Sequence, residues 1–216
     1  LPAGATPVPL YAELVRRTRA GTLDLSRAHL FQLDELVGVA TDDARGFQAF
    51  FRQHLVGPLA LATRFHALDG RARDPAAEIE RHRSALETLG GGDLALLGLG
   101  KNGHVAFNEP GATLAERARV VTLGATTLDG LYAQFANDCP RLGLTLGLAE
   151  IVACKEVVLL VTGPAKAEML ARVVSGPPTS TCPATLLAGH ARFLVLADEA
   201  ASPCAITPPA SRAPRP

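Results

Sequence analysis

The chain has 216 residues, of which 48% are hydrophobic and 19% charged, and its 21 acidic residues balance 21 lysines and arginines. This composition excludes a disordered chain and predicts a globular protein of one large domain. Net neutrality gives no general attraction to nucleic acid or to an anionic membrane, so neither is expected as a partner. No apolar run reaches the roughly 18 residues of a membrane span, and the four cysteines lack metal-ligand spacing. We therefore expect a cytoplasmic protein with free thiols.

Four elements are predicted in the first half of the chain. The approximate helical spacing of apolar residues predicts a helix over residues 8–20, and a short apolar run predicts a buried strand over 29–33. A second helix is predicted over residues 44–56. A charged amphipathic helix is predicted over residues 75–89, and three consecutive glycines end it.

The second half predicts strands over residues 93–100, 119–123, 156–162 and 193–196, and helices over 142–151 and 165–174. Strands that alternate with helices predict an α/β fold, with a mostly parallel sheet and helices on both faces. Ligands of such sheets bind beyond the carboxyl ends of the strands. We expect a single domain over residues 1–201. Residues 202–216 are rich in proline and lack periodicity, which predicts a flexible tail.

Chemically useful side chains follow three of the predicted strands. Asp34 comes directly after a buried run, His104 and Glu109 lie in a glycine-bearing turn, and Lys166 lies at a strand-to-helix turn. Singly, such residues are more often a helix cap, a surface histidine or a solvated lysine. Together, at one edge of a sheet, they predict a base, an acid and an anion anchor.

Two motifs carry a resemblance to a known family. Leu-Asp-Glu-Leu-Val-Gly at 33–38 and Gly-Leu-Gly-Lys-Asn-Gly-His-Val-Ala-Phe-Asn-Glu-Pro-Gly at 98–111 resemble the glucosamine-6-phosphate deaminase (isomerase) family. Residues 1–7 resemble its phosphate loop, and residues 163–166 resemble its phosphate-binding lysine turn. The similarity runs in order to about residue 199. It implies a Rossmann-like fold that lacks the family's first strand–helix unit.

The resemblance implies a role for each motif residue. Asp34 would be the base that moves a proton between C2 and C1 of the opened amino sugar. His104, with Asn102 and Glu109 beside it, would open the sugar ring. Lys166 would bind the phosphate, together with the backbone N–H groups of Gly4, Ala5 and Thr6. The family needs no metal and no organic cofactor, so none is expected.

The chain departs from the family pattern at several positions. Ala3 and Ala5 replace phosphate-loop residues, Ala133 falls near a phosphate-supporting arginine, and Asn102 replaces an aspartate found in many members. Val121 replaces a lysine of the allosteric site, so activation by N-acetylglucosamine 6-phosphate is expected to be absent. Without the first strand–helix unit, we expect this 216-residue chain to be poorly stable or weakly active.

Two alternative functions stay open at this stage. A 6-phosphogluconolactonase-like hydrolase shares the fold, but the Phe-Asn-Glu-Pro run at 107–110 argues against it. A non-catalytic sugar-phosphate-binding protein is the second alternative, although Asp34, His104 and Glu109 are all retained. The expected partner is a small amino-sugar phosphate. The sequence does not decide between glucosamine 6-phosphate and galactosamine 6-phosphate. It also leaves open whether the chain forms a homo-oligomer.

Overall fold

A computed structural model describes residues 1–202, so the predicted tail over 202–216 lies outside the described residues apart from Ser202. The central sheet has three parallel strands in the order β4–β7–β8, formed by Leu94–Gly98, Glu156–Val161 and Phe193–Ala197. Leu94 pairs with Glu156, and Val157 pairs with Phe193. The predicted α/β class and these three parallel strands are confirmed.

Alternate residues of β4 enter two different hydrophobic cores. Ala95 and Leu97 pack into the larger core, which also holds residues of helices α6 (Leu148–Val152) and α7 (Ala167–Ser175). Leu96 packs on the opposite face with Tyr11, which belongs to helix α1 (Val8–Arg19). Because side chains alternate across a strand, an apolar run of this kind is buried on both faces and is covered by helices on both.

A second sheet is antiparallel and was not predicted. Its order is β2–β6–β5, formed by Asp34–Leu36, Leu142–Thr145 and Arg119–Thr122. The helix predicted over 142–151 is therefore wrong in its first half, and only Leu148–Val152 is helical. A short apolar run cannot distinguish a strand from a helix by periodicity alone. Here the pairing of Gly143 with Leu36 on one side and Val121 on the other decides for a strand.

The predicted strand over 29–33 is also shorter than expected. Strand β1, Leu30–Phe31, pairs in parallel with β3, Phe65–His66, and then stops. Beyond Phe31, the side chain of Gln32 bonds to backbone groups of both segments. Its Nε2 donates to the carbonyl of Asp34 at 2.9 Å, and its Oε1 accepts from the N–H of Leu68 at 3.1 Å. Asp34 therefore begins strand β2 instead of following a strand, which corrects its predicted setting.

The helices at 8–20, 75–89 and 165–174 are confirmed as α1, α4 (Pro75–Thr88) and α7 (Ala167–Ser175). The segment predicted over 44–56 forms α2 (Phe47–Phe51), a π-helical turn at Arg52–Val56 and α3 (Gly57–Leu59). Helix α5 (Ala125–Phe135) was not predicted. Short 3₁₀ turns occupy Ala62–Arg64, Ala136–Asp138, Pro164–Lys166 and Pro183–Gly189. Within residues 1–202, none of the helices has the length and apolar character needed to cross a membrane.

Substitution of Gly143 tests whether close packing around this glycine stabilises the strand at 142–145. A Cβ at this position would lie 2.5 Å from the ring of Phe107 and 3.1 Å from Leu123. We expect Gly143→Ala to lower the free energy of unfolding by about 1–3 kcal/mol, measured by urea denaturation.

Gly130→Ala is the matched control for Gly143→Ala. Gly130 lies in helix α5, and a Cβ there would have no atom within 4 Å. The same methyl group should leave stability unchanged or raise it by about 0.4–1 kcal/mol, because alanine loses less backbone entropy in a helix. An equal loss in both variants would contradict the packing explanation.

Candidate active site

A cavity of about 330 Å³ lies at the carboxyl end of β4. Its wall combines the first residues of the chain, the start of β2, the turn after β4, helix α5 and the turn after β7. Six of the predicted site residues line it together: Gly4, Ala5, Thr6, Asp34, His104 and Lys166. Asn102 and Glu109 do not line the cavity but contact His104 from behind.

Asp34 presents a carboxyl group that is almost removed from water. The residue is only 8% exposed, yet it contributes to the cavity wall. Burial, with the neighbouring charge of Glu35 as the second cause, raises the pKa of Asp34 to about 7. A carboxyl group with this pKa changes between its acid and base forms near neutral pH, which is what proton transfer to and from carbon requires.

The carboxylate of Glu35 holds the cavity wall in place. It accepts from Gln32 Nε2 at 2.7 Å and from its neighbour, the N–H of Leu36, at 2.9 Å. It also accepts the N–H groups of Phe47 and Gln48, at 3.1 and 2.9 Å, in the first turn of α2. Burial raises the pKa of Glu35, and these hydrogen bonds act in the opposite direction. The result is a direct connection between strand β2 and helix α2.

His104 is held against the turn that follows β4. Its backbone N–H donates to Asn102 Oδ1 at 3.2 Å, and its carbonyl accepts from the N–H of Gly100 at 2.9 Å. A Cβ on Gly100 would lie 2.4 Å from the imidazole ring. Only glycine therefore allows the ring of His104 to lie across this turn and reach the cavity.

Glu109 is surrounded by hydrogen-bond donors. Its carboxylate accepts from Asn102 Nδ2 at 2.8 Å, from Thr127 Oγ1 at 2.5 Å and from the N–H of Gly124 at 3.3 Å. His104 Nδ1 lies 3.5 Å away. Burial acts to raise the pKa of Glu109, but the contacts with His104, Thr127 and Asn102 outweigh it and lower the pKa to about 2. Glu109 is therefore a fixed negative charge behind the imidazole.

The lysines and first residues that line the cavity have the features of an anion site. Lys166 lies in the turn after β7, where burial, and then the charge of Lys101, lowers its pKa. Lys101 lines the same cavity. Within residues 1–202, neither Lys101 nor Lys166 forms an ion pair. In the same part of the chain, the backbone N–H groups of Gly4, Ala5 and Thr6, which precede helix α1, donate no hydrogen bond. Free amides before a helix, with two ammonium groups, suit a phosphate dianion.

Lys101 and Thr127 line the cavity but are not among the site residues predicted from the sequence. Lys101 was counted only as part of the turn, and Thr127 lies on helix α5, which was not predicted. A signal for this helix exists, because Leu128, Leu131 and Phe135 recur at helical spacing and the last two are buried. In the part of the chain that the structure describes, no group of three or more histidine, cysteine, aspartate or glutamate side chains has a metal-binding arrangement.

Residues 1–195 match the model of the family described as glucosamine-6-phosphate isomerases/6-phosphogluconolactonase, and the chain belongs to this family. It is 39% identical to glucosamine-6-phosphate deaminase 2 of Giardia intestinalis, over 93% of this chain and 78% of the relative. It is 40% identical to glucosamine-6-phosphate deaminase of Rhodopirellula baltica, over 94% of this chain and 82% of the relative. The resemblance inferred from the two motifs is confirmed.

Solved structures divide into two groups by similarity. A monomeric glucosamine-6-phosphate deaminase superposes with a TM-score of 0.89 at 31% identity, over 93% of this chain and 85% of that one. A 6-phosphogluconolactonase from Thermotoga maritima superposes with a TM-score of 0.71 at 21% identity, over 90% and 82%. The second likeness shows a shared fold and nothing finer.

The burial of Asp34 predicts a pH-dependent stability difference. The pKa of Asp34 is about 7 in the folded chain against an ordinary value of 3.8, so the folded state holds a proton that the unfolded state releases. The stability from this proton is full below pH 4 and is lost as pH rises through 7. We expect Asp34→Asn, which has no charge to bury, to gain up to about 4 kcal/mol relative to the original chain between pH 4 and pH 8.

The comparison uses urea unfolding at both pH values, with Asp129→Asn as the control. Asp129 is exposed on helix α5, so the same substitution there should change stability by a similar small amount at pH 4 and pH 8. If the difference in unfolding free energy between Asp34→Asn and the original chain is the same at pH 4 and pH 8, ionisation of Asp34 does not destabilise the folded state, and the prediction is wrong.

Proposed function

We propose that this chain converts glucosamine 6-phosphate and water to fructose 6-phosphate and ammonia. The observation that carries the proposal is a single cavity lined by a buried carboxyl group, an imidazole and a lysine, Asp34, His104 and Lys166. Relatives that are 36–40% identical over nearly the whole chain are named glucosamine-6-phosphate deaminases, which supports the same reaction here. The substrate is small enough for a cavity of about 330 Å³.

Asp34 is proposed as the base for the carbon-bound proton. In the open-chain sugar it removes the proton from C2. The C2–H electron pair forms a C1=C2 double bond, the π pair of the C1 carbonyl moves onto O1, and O1 takes a proton from the substrate's own ammonium group, which gives an enolamine. The same carboxyl group returns the proton to C1, which leaves an iminium at C2. Water adds to C2 and ammonia leaves, which completes the ketose. A pKa of about 7 makes both the acceptance and the return of the proton accessible at neutral pH.

His104 is proposed to open the sugar ring before this step. Ring opening takes a proton from the hydroxyl at C1 and gives one to the ring oxygen, and an imidazole can do both near neutral pH. Glu109 and Asn102 hold the turn that presents His104, through the hydrogen bonds between them and to its backbone. The negative charge of Glu109, 3.5 Å from His104 Nδ1, stabilises the imidazolium that forms in passing.

The phosphate of the substrate is proposed to bind Lys166, Lys101 and the N–H groups of Gly4, Ala5 and Thr6. A dianion relieves the repulsion between two ammonium groups in one cavity. The pKa of Lys166 is lowered first by burial and then by the charge of Lys101. Lys101 offers a second cation on a chain that has Ala133 where the family's arginine falls.

Hydrolysis of 6-phosphogluconolactone is the alternative to be excluded by experiment. The lactonase structures share the fold at 19–22% identity, and the likeness reaches no further than the fold. A sugar-phosphate-binding protein without turnover is the other alternative. A cytoplasmic location stays a prediction. Galactosamine 6-phosphate as the substrate and the formation of a homo-oligomer are alternatives that the sequence leaves open.

Ammonia release from glucosamine 6-phosphate, in an assay coupled to fructose 6-phosphate formation, tests the reaction. We expect turnover in the original chain and a loss of at least about 10²-fold in kcat for Asp34→Asn, because general acid–base groups contribute about 10²–10⁴-fold. His104→Gln should impair the cyclic substrate more than proton exchange at C1 of fructose 6-phosphate. Lactone hydrolysis without ammonia release would favour the alternative, and near-normal turnover by Asp34→Asn would remove this residue from its role.

Inorganic phosphate provides a test of the anion site that does not depend on turnover. We expect Lys166→Met and Lys101→Met each to weaken phosphate binding about 10-fold or more, because a hydrogen bond to a charged group contributes about 1.5–3 kcal/mol. Lys155→Met is the control, since Lys155 is exposed and pairs with Asp93 at 2.6 Å, away from the cavity-lining residues. Isothermal titration calorimetry at fixed ionic strength measures the affinities of the three variants and of the original chain. Equal affinity in Lys101→Met and the original chain would restrict the site to Lys166.

A further inference from the structure

The side chain of Thr127 lies between His104, which lines the cavity, and Glu109, which does not. Its hydroxyl Oγ1 is 2.5 Å from Glu109 Oε1 and 3.2 Å from His104 Nδ1. The residue is half-buried near the start of helix α5 and also lines the cavity. The direct distance from His104 Nδ1 to the Glu109 carboxylate is 3.5 Å. Each of the two contacts made by the hydroxyl is shorter than this direct distance. The hydroxyl therefore bridges the imidazole and the carboxylate.

The direction of the two hydrogen bonds follows from counting hydrogens. Glu109 accepts from the amide of Asn102 and from the N–H of Gly124, and an ionised carboxylate can only accept. The low pKa of Glu109, which its contacts with donors produce against the effect of burial, agrees with this charge state. The single hydrogen of the Thr127 hydroxyl is therefore used toward Glu109. Toward His104 the same oxygen can only accept, so Nδ1 carries the hydrogen.

This direction leaves Nε2 of a neutral His104 as the base. A neutral imidazole has one N–H and one lone pair, and the hydrogen on Nδ1 places the lone pair on Nε2. Nε2 of His104 has no hydrogen-bond partner among residues 1–202. It is also not among the polar side-chain atoms that are both buried and without a partner. Since His104 lines the cavity, the lone pair is available to a bound sugar.

We propose that Thr127 is a positioning residue that fixes the tautomer and orientation of His104, so that Nε2 is the atom that exchanges protons with the sugar ring. The role of His104 rests on the function proposed above, whereas the tautomer does not. Glu109 holds the hydroxyl in place, because it also accepts the N–H of Gly124, the residue that precedes helix α5. The placement of α5 and the orientation of the imidazole are thus set by one carboxylate.

A pair of substitutions separates the hydroxyl from the rest of the side chain. Thr127→Val keeps the shape and removes both hydrogen bonds, whereas Thr127→Ser keeps the hydroxyl and removes only a methyl group. We expect Thr127→Val to lower kcat for glucosamine 6-phosphate about 10- to 100-fold, the range for losing a hydrogen bond to a charged group. KM should stay within about 3-fold, since the phosphate contacts are untouched, and Thr127→Ser should recover most of kcat. Thr122→Val, on the exposed face of strand β5, is the matched control and should retain kcat.

A second measurement does not require turnover. Long-range proton–nitrogen NMR spectra of the folded chain, at a pH where His104 is neutral, report which ring nitrogen carries the hydrogen. We expect the hydrogen on Nδ1 in the original chain and in Thr127→Ser, and a mixture of the two tautomers in Thr127→Val. Urea denaturation of each variant shows that the comparison is made on folded protein.

The outcomes that overturn the inference are distinct from failure of the proposed function. A hydrogen on Nε2 in the original chain overturns it whether or not ammonia is released. So does an equal loss of kcat in Thr127→Val and Thr127→Ser, because the hydroxyl is then not the feature that matters. If the original chain releases no ammonia but His104 shows the hydrogen on Nδ1 only while Thr127 is present, the proposed function fails and the positioning role stands.

Discussion

The buried carboxylate of Glu35 is the interaction on which the geometry of the cavity depends. It lies where the chain leaves the parallel strand β1 and enters the antiparallel strand β2, and its oxygens accept four N–H groups from three parts of the chain. One of those parts is the first turn of helix α2. Since Asp34 is adjacent to Glu35 on β2, the position of the proposed base follows from this one group of hydrogen bonds. An unpaired carboxylate in this place would be strongly destabilising, so the two elements are fixed together.

The environments of two other acids show how the same chemical group takes opposite roles. Asp34 is buried beside the negative charge of Glu35, and burial, followed by that charge, raises its pKa to about 7. Glu109 is half-buried, but its contacts with His104, Thr127 and Asn102 outweigh burial and lower its pKa to about 2. One carboxyl group is therefore suited to carry a proton, and the other is suited to remain charged. The cavity therefore has a proton carrier in its wall, Asp34, and an electrostatic support next to His104, Glu109.

The order of the elements brings these groups together at one end of the molecule. The turns after β4 and β7 lie at the carboxyl ends of adjacent parallel strands, and they carry His104 and Lys166. The antiparallel sheet supplies Asp34 from a third direction, and helix α5 closes the cavity with Thr127. Parallel strands place successive turns at the same edge, and the second sheet, α5 and the first residues of the chain complete the wall of the cavity there.

The sequence by itself determined the α/β class, the parallel strands at 93–100, 156–162 and 193–196, and the family, because long apolar runs and an extended motif are local signals. It also identified the side chains that share the cavity, although their chemical roles stay proposals. Only the tertiary structure decided that residues 142–145 form a strand and that Asp34 begins one, since both depend on pairing with distant segments. The bridge from His104 through Thr127 to Glu109 is likewise invisible in the sequence. Hydrogen bonds between residues 18 and 23 positions apart exist only once helix α5 has packed beside the turn after β4.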